Sequence, residues 1–416
     1  MAEFRETART ARVFVDPPSS RPATGRSFRC MARWFLEYRF WLLAILIGLG
    51  CDGGTATRAD ESYELLWEHP TPRQLPQSLR VDRGGQLLHV ALKSGGFLTL
   101  DVSGSMPRER ATLPTSVFGG LDVMHLDQQG DFVFLALGDF FNAAGAHAGL
   151  AVVDVSRPAT PRVVGLWKSP EKMQGAAAVL VEGRNVYLGA MGHGVLIFEW
   201  EAGRPLQPIS TFLPDVDFPR PNPGRTAHPN ARGLAIQGNL LYVADDAGGL
   251  RVWDVSKPRE PREVGRHVLP GMKHKQQAYN QLVLDGHLAY VAIDYAGLEV
   301  VDIRDPRNLR SIAWWNPWNA HTLGNLWFNS GGHTNQICFD KQRRRVWLSA
   351  GDAELMAVDI SRPDQPALAS QYGAAKDGLG AWGLACAGDR VYLTYITAVV
   401  PFSGRWAGIK ALRVKR

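Results

Sequence analysis

The chain lacks a long apolar run. Its longest such run, Phe40 to Gly50 (FWLLAILIGLG), has 11 residues and stops at Cys51. At a helical rise of about 1.5 Å per residue, it reaches only about half of a hydrocarbon core about 30 Å thick. A membrane-spanning helix is therefore the weaker interpretation. Arg33 and Arg39, which precede the run, favour the apolar region of a signal peptide.

The body of the chain also lacks an excess of charge of either sign. The formal net charge is +6, from 46 Lys and Arg against 40 Asp and Glu. The first 50 residues hold 8 of the basic and 4 of the acidic residues, which leaves 38 and 36 in the remainder. A nucleic-acid groove needs a clustered basic face, so we expect no nucleic-acid partner.

Cysteine is scarce, with four residues in the chain. The stretch LIGLGC, which ends at Cys51, resembles the lipobox of bacterial lipoproteins, in which a small residue precedes a lipidated cysteine. The resemblance implies lipidation of Cys51 and attachment to a membrane surface, since two or three acyl chains anchor a protein stably. An uncleaved anchor and simple secretion are the alternatives. The expected location is the cell envelope.

Two cysteines, Cys338 and Cys386, lie in the body of the chain. An exported protein can pair them, but they fall in strands of neighbouring repeats at slightly different registers, which argues against a disulfide.

Four segments follow from these features. Residues 1–30 are rich in Arg, Pro and Ser and form an unusual prefix to a signal peptide, so we expect Met31 to be the initiator. Residues 31–50 form the lipoprotein-type signal peptide, residues 51–61 a short linker, and residues 62–416 the folded body.

The body is built from repeats of β type. No stretch keeps the i, i+3, i+4 apolar period for ten residues, which excludes a helical solenoid. Short runs of β-branched, aromatic and aliphatic residues bounded by Gly, Pro, Asn or Asp are typical of strands. Seven of them align as second strands: LLHVAL (87–92), FVFLAL (132–137), NVYLGA (185–190), LLYVAD (240–245), LAYVAI (288–293), RVWLSA (345–350) and RVYLTY (390–395).

The spacing of the third strands predicts the architecture. They end at Asp101, Asp154, Glu199, Asp254, Asp302, Asp359 and Arg413, so the unit recurs every 45 to 57 residues, as in four-stranded propeller blades. The seventh unit is one strand short, and Tyr63 to His69 (YELLWEH) resembles the fourth strands of other units. Pairing it with the last unit closes the ring and covers an exposed edge. We therefore predict an all-β, seven-bladed β-propeller closed by an N-terminal strand.

Four phrases carry a resemblance to a known family: GLAVVDVSRPATP, GLRVWDVSKPREP, GLEVVDIRDPRNL and ELMAVDISRPDQP. They resemble the repeat of the LVIVD-repeat proteins, which are bacterial and archaeal surface-associated propellers; units one, three and seven match only in outline. The resemblance implies an envelope setting and no particular reaction, because the family has no shared catalytic motif. The repetition of the phrase indicates a structural turn, so Asp154, Asp254 and Asp359 are poor candidates for catalysis.

Candidate ligand-binding residues lie where the repeats differ. In a propeller, the connections between blades and the turns between second and third strands share one face, here called the upper face. Long loops at residues 214–230, 270–280 and 316–335 lie on it. Arg232, Asn280, Asn335 and Trp382 begin innermost strands, and with His228 and His333 they form a candidate pocket. Polar strand starts in a solvated channel are the simpler interpretation.

Metal binding and catalysis are the weaker hypotheses. His228 and His333, with Asp246, Asp294 or Asp352, are candidate ligands for a divalent metal, but no pair has the short fixed spacing typical of a zinc site. The chain has no GxSxG sequence and no Cys–His signal. A metal-assisted hydrolase or lyase at the channel mouth is the alternative function.

One loop is unusually aromatic. Trp314, Trp315, Trp318, Trp327 and Phe328 fall within 15 residues, and we expect Trp318 and Trp327 to be exposed. Such a surface suits a sugar ring or an apolar partner. The leading hypothesis is thus a lipid-anchored scaffold, not an enzyme, that holds an envelope protein or polysaccharide on its upper face.

Overall fold

A computed structural model describes residues 61–142, 145–398 and 401–415. The predicted N-terminal extension (1–30), the signal peptide (31–50), Cys51 and the linker up to residue 60 lie outside the described residues. Within the described ranges, no helix is long and apolar enough to span a bilayer.

The described chain contains 28 strands. In chain order they are β1 Ser62–Pro70, β2 Ser78–Val81, β3 Leu87–Ala91, β4 Phe97–Asp101, β5 Arg108–Leu113, β6 Val123–Gln129, β7 Phe132–Leu137, β8 His147–Asp154, β9 Arg162–Lys172, β10 Ala178–Glu182, β11 Asn185–Gly189, β12 Val195–Glu199, β13 Pro208–Phe212, β14 Ala231–Gln237, β15 Leu240–Asp245, β16 Gly249–Asp254, β17 Arg262–His267, β18 Tyr279–Asp285, β19 Leu288–Ile293, β20 Gly297–Asp302, β21 Arg310–Trp315, β22 Ile337–Asp340, β23 Arg345–Ser349, β24 Leu355–Asp359, β25 Ala367–Tyr372, β26 Ala381–Ala387, β27 Arg390–Tyr395 and β28 Gly408–Lys415. Short 3₁₀ turns are Thr115–Phe118, Met191–His193, Asp246–Gly248, Pro270–Met272, Asp294–Ala296 and Trp327–Asn329.

The strands form seven antiparallel four-stranded sheets, which confirms the predicted seven-bladed β-propeller. Blades one to six take consecutive strands from β2 to β25, and blade seven has the order β1-β28-β27-β26. The N-terminal strand therefore closes the ring as predicted, with Ser62 opposite Lys415 and Pro70 opposite Gly408. Trp67 of β1 is buried and lies 5.9 Å from the Tyr392 ring.

The core lies between blades rather than within them. Seven clusters of buried apolar residues each join two neighbouring blades, including one between blades seven and one that contains Trp67. A four-stranded sheet has two apolar faces, so each blade buries both of them only when the ring is complete.

The repeated phrase makes the turn from the third to the fourth strand. Asp154, Asp254 and Asp359 each accept a hydrogen bond from the backbone N–H of the residue two positions on, at 2.8 to 2.9 Å. This local bond stabilises the reversal at which ladder pairing stops. The structural interpretation of the phrase is confirmed.

Cys338 and Cys386 form a disulfide, contrary to our expectation, with a Cα–Cα distance of 6.2 Å. Leu384 N–H donates to Gln336 Oε1 at 3.1 Å, so these two residues lie side by side on the innermost strands of neighbouring blades. The expected mismatch in register between the two cysteines is therefore absent. The cysteines lie two residues further along each strand. A bulge between Ala381 and Leu384 absorbs the extra residue that the sequence suggested.

Candidate functional site

Irregularities at the start of the innermost strands build the upper channel mouth. The ladders of β6, β14, β18 and β26 shift register at their second residues. A bulge redirects a side chain that would otherwise follow the pleat. The second residues, which the bulges bring to one cavity, are Met124, Arg232, Asn280 and Trp382.

Four predicted site residues meet there. Arg232, Asn280, Asn335 and Trp382 line this cavity together with Phe140. Its volume is about 30 Å³, enough for about two water molecules. In this conformation the cavity is too small for a sugar ring.

Aromatic side chains cover the cavity. The Arg232 guanidinium lies 4.6 Å from the centre of the Phe140 ring. Phe141 meets Trp382 edge-on at 5.4 Å, and Phe402 lies 6.2 Å from the same indole. Phe402 is buried, whereas Phe141 is half exposed, so the cover presents apolar surface to solvent.

Beside the cavity, His333 forms a buried pair with Asp294. His333 Nδ1 and Asp294 Oδ1 are 2.6 Å apart, and the histidine is 1% exposed. Thr334 donates through its hydroxyl to the Asp294 carbonyl, and Asn280 Nδ2 lies 3.4 Å from Asp294 Oδ2. His333 Nε2 has no hydrogen-bond partner among the described residues. The pair resembles the base and orienting carboxylate of a proton-transfer site.

The charges around Arg232 perturb one another. Burial, with the nearby charges of Asp294 and Asp245, raises the pKa of Asp246 to about 7, although Arg232 opposes the shift. Burial also lowers the pKa of Arg232. Asn230 Nδ2 donates to Asp246 Oδ2 at 2.5 Å. Arg232 and Asp246 are therefore ionisable groups in a poorly solvated part of the channel mouth.

The candidate metal ligands do not assemble. Across the described ranges, no three His, Cys, Asp or Glu side chains are placed to hold one ion. His228 is exposed on its loop, where its carbonyl accepts from the Thr226 hydroxyl at 2.6 Å. Asp352 lies near enough to His333 for the two charges to interact, and burial raises its pKa.

Two polar neighbours of the predicted residues have a structural role. Gln281 Oε1 accepts from Ile337 N–H at 2.8 Å, and Gln336 Oε1 accepts from Leu384 N–H at 3.1 Å. Each amide therefore satisfies the free edge of the next innermost strand. Part of the polar channel lining joins blades and is not available to a ligand.

The predicted exposure of Trp318 and Trp327 is wrong. Both are half-buried and pack against the cores between blades five and six and between blades four and five, respectively. The exposed large apolar residues of this loop are instead Leu323 (82%), Leu326 (56%) and Phe328 (65%). We call these three residues the apolar tip of the 316–335 loop.

A lysine from the neighbouring loop holds this tip in place. Lys275 Nζ donates to the carbonyl of Ala320 at 2.9 Å, and also to those of Thr322 and Asn325. His274 Nε2 lies 3.2 Å from the His321 carbonyl. Lys275 was not a predicted site residue, because nothing in its sequence context marks a contact nearly fifty residues away.

Comparisons with known proteins support the repeat and the fold. The model of the LVIVD repeat matches residues 129–168, 229–268, 280–311 and 347–373, which fall in blades two, four, five and six. No curated protein matches the chain.

Among solved structures, Saccharomyces cerevisiae Sqt1 superposes with a TM-score of 0.55 at 9% identity, over 85% of this chain and 99% of Sqt1. The computationally designed Ika8 protein gives a TM-score of 0.49 at 13% identity, over 84% of this chain and 99% of that protein. At such identities the likeness to Sqt1 concerns the fold alone. The chain is therefore a seven-bladed β-propeller that contains LVIVD repeats.

Proposed function

We propose that the protein is an exported, lipid-anchored propeller of the cell envelope that acts as a binding scaffold, and that its upper face holds an envelope protein or polysaccharide. The apolar tip of the 316–335 loop carries this proposal. Leu323, Leu326 and Phe328 are exposed within six residues of a loop that contains no Asp, Glu, Lys or Arg. Exposed apolar patches with a fixed shape are typical of interaction sites.

The fixed shape matters because it lowers the entropic cost of binding. Lys275 ties three carbonyl groups of the loop to blade five. A partner therefore meets an ordered apolar surface and does not have to order a mobile loop.

Two further features support export. The 11-residue apolar run that ends at Cys51 follows Arg33 and Arg39. The Cys338–Cys386 disulfide suits an oxidising compartment, since structural disulfides are rare in reducing cytoplasm.

The test uses a photo-crosslinking residue in place of Leu323 in living cells, with the same residue in place of Leu368 as a matched control. Leu368 is 48% exposed but lies on an outermost strand. We expect a discrete crosslinked species, either a protein or a glycan, from position 323 alone. Equal crosslinking from both positions, or none from position 323, contradicts a binding role for the upper face.

The buried His333–Asp294 pair is the observation that favours the alternative, a metal-assisted hydrolase or lyase. Metal analysis of the purified protein tests it directly. Stoichiometric metal that is lost in His333→Ala supports the alternative, whereas the same metal content in both proteins removes His333 from any such site.

A further inference from the structure

The lower face of the ring carries the turns between first and second strands and between third and fourth strands. We infer that this face lies against the membrane and that its arginine-rich turns contact anionic lipid headgroups, so that the upper face points away from the membrane. The inference rests on the lipid anchor of the proposed function.

The direction of β1 provides the first step. Ser62 pairs with Lys415, at the end of β28, and Pro70 pairs with Gly408, at its start. Since third strands end at the lower face, β1 begins there and runs upward. Cys51 precedes Ser62 by 11 residues, a span of at most about 40 Å when fully extended. The chain that leads to the anchor thus enters the ring from below.

The composition of the lower turns provides the second step. The turns after β8, β16, β20 and β24 contain nine exposed basic residues: Arg157, Arg162, Lys257, Arg259, Arg262, Arg304, Arg307, Arg310 and Arg362. They contain three exposed acidic residues: Glu260, Asp305 and Asp364. The outermost layer of these turns is therefore strongly positive.

The remaining acids of these turns lie beneath that layer. Asp302 has a side chain 4% exposed and pairs with Arg310, 63% exposed, while Asp154, 17% exposed, pairs with Arg162, 73% exposed. Hydrogen bonds from the Arg304 side chain lower the pKa of Asp302, and hydrogen bonds from the side chain and backbone of Ser156 lower the pKa of Asp154, so both carboxyls stay charged but face the turn. The guanidinium groups reach solvent first, which is the arrangement that an anionic surface attracts.

The basic turns and the start of β1 lie on the same face of the ring. Three of the nine basic residues lie in blade five and one in blade six, the two blades that precede blade seven around the ring. A membrane that approaches this face therefore meets the basic turns. Each basic residue near such a surface adds to the attraction, which salt weakens.

Energy transfer measures the orientation directly. The lipidated full-length protein carries one donor dye on an introduced cysteine, either Asn308→Cys in a lower turn or Leu323→Cys at the upper apolar tip, and the vesicles contain an acceptor-labelled lipid. We expect stronger transfer from position 308. Equal transfer from a vesicle-bound protein, or stronger transfer from position 323, overturns the inference alone. Failure of both labelled proteins to bind vesicles overturns the anchor and the inference with it.

Charge reversal tests the role of the turns. In phosphatidylcholine vesicles, adding phosphatidylglycerol should increase transfer from position 308, and high salt should remove the increase. The variant Arg157→Glu/Lys257→Glu/Arg307→Glu should lose the increase entirely. The matched control, Lys273→Glu/Lys376→Glu/Arg405→Glu, reverses three exposed basic residues of the upper face and should retain it. Equal loss in both variants means that the net charge of the protein, and not the position of these residues on the lower face, sets the attraction to the lipid.

Discussion

The Cys338–Cys386 disulfide gives a quantitative prediction. It joins the innermost strands of blades six and seven across a sequence separation of 48 residues. Removing such a link restores loop entropy to the unfolded chain, which at this length corresponds to about 4 kcal/mol of stability. For a body of about 350 residues, that loss lowers the unfolding temperature by about 5 °C.

The assay compares the parent with the variant Cys338→Ala/Cys386→Ala by thermal unfolding, with and without a reductant. We expect the oxidised parent to unfold about 5 °C above the variant, and reduction to abolish the difference. The variant is its own control, since reductant should not change its unfolding temperature. Mass spectrometry of the unreduced protein should yield the two cysteines in one linked peptide pair.

Two results would refute this reasoning. Free thiols at both positions in protein purified without reductant would show that the bond does not form. A linked parent that unfolds at the same temperature as the variant would show that residual structure in the unfolded ensemble already restrains these strands.

Three further predictions concern the closure, a buried acid and the upper loop. Trp67→Ala should cost about 3–5 kcal/mol by leaving a cavity at the closing strand, and denaturant unfolding that shows no loss contradicts a closed ring. Burial raises the pKa of Glu354 to about 7 from a normal value of 4.5, so stability should fall as pH rises through that interval. Glu354→Gln should reduce this dependence, to which the buried Asp246 also contributes; an unchanged pH profile in the variant refutes this assignment. Lys275→Met should speed chymotrypsin cleavage in the 316–335 loop, whereas Lys273→Met should not; equal rates would show that Lys275 does not hold the loop.

The architecture was predictable because each blade repeats the same pattern of strands and turns. Strand composition, turn residues and a spacing of 45 to 57 residues recur along the body, and closure followed from one missing strand. These features are local or periodic, so they can be recognised in the sequence without knowledge of tertiary contacts.

The candidate site was predictable in position but not in geometry. The sequence predicted that Arg232, Asn280 and Trp382 begin innermost strands, and in the structure these three residues line one cavity. It did not reveal the bulges that turn these side chains inward, the bulge that brings Cys386 level with Cys338, or the contact of Lys275 with a distant loop. Each depends on how neighbouring blades meet, and no single repeat contains that information.

Exposure was the least predictable property. Trp318 and Trp327 had the composition of a binding surface, yet their indoles pack between blades, and two leucines and Phe328 form the tip. Large aromatic side chains bury the most apolar area, so a cluster of tryptophans identifies an important loop without identifying its outer face.

The closing strand imposes an order of events on biogenesis. Among the described strands, β1 is made first and its partner β28 is made last. During synthesis, β1 therefore waits with unpaired backbone groups and an unburied Trp67 while six blades and the other three strands of the seventh are made. Long-range pairing of this kind is slow and exposes strand edges to other chains. A propeller of this design thus depends on being kept from other chains until its last strand is available for pairing.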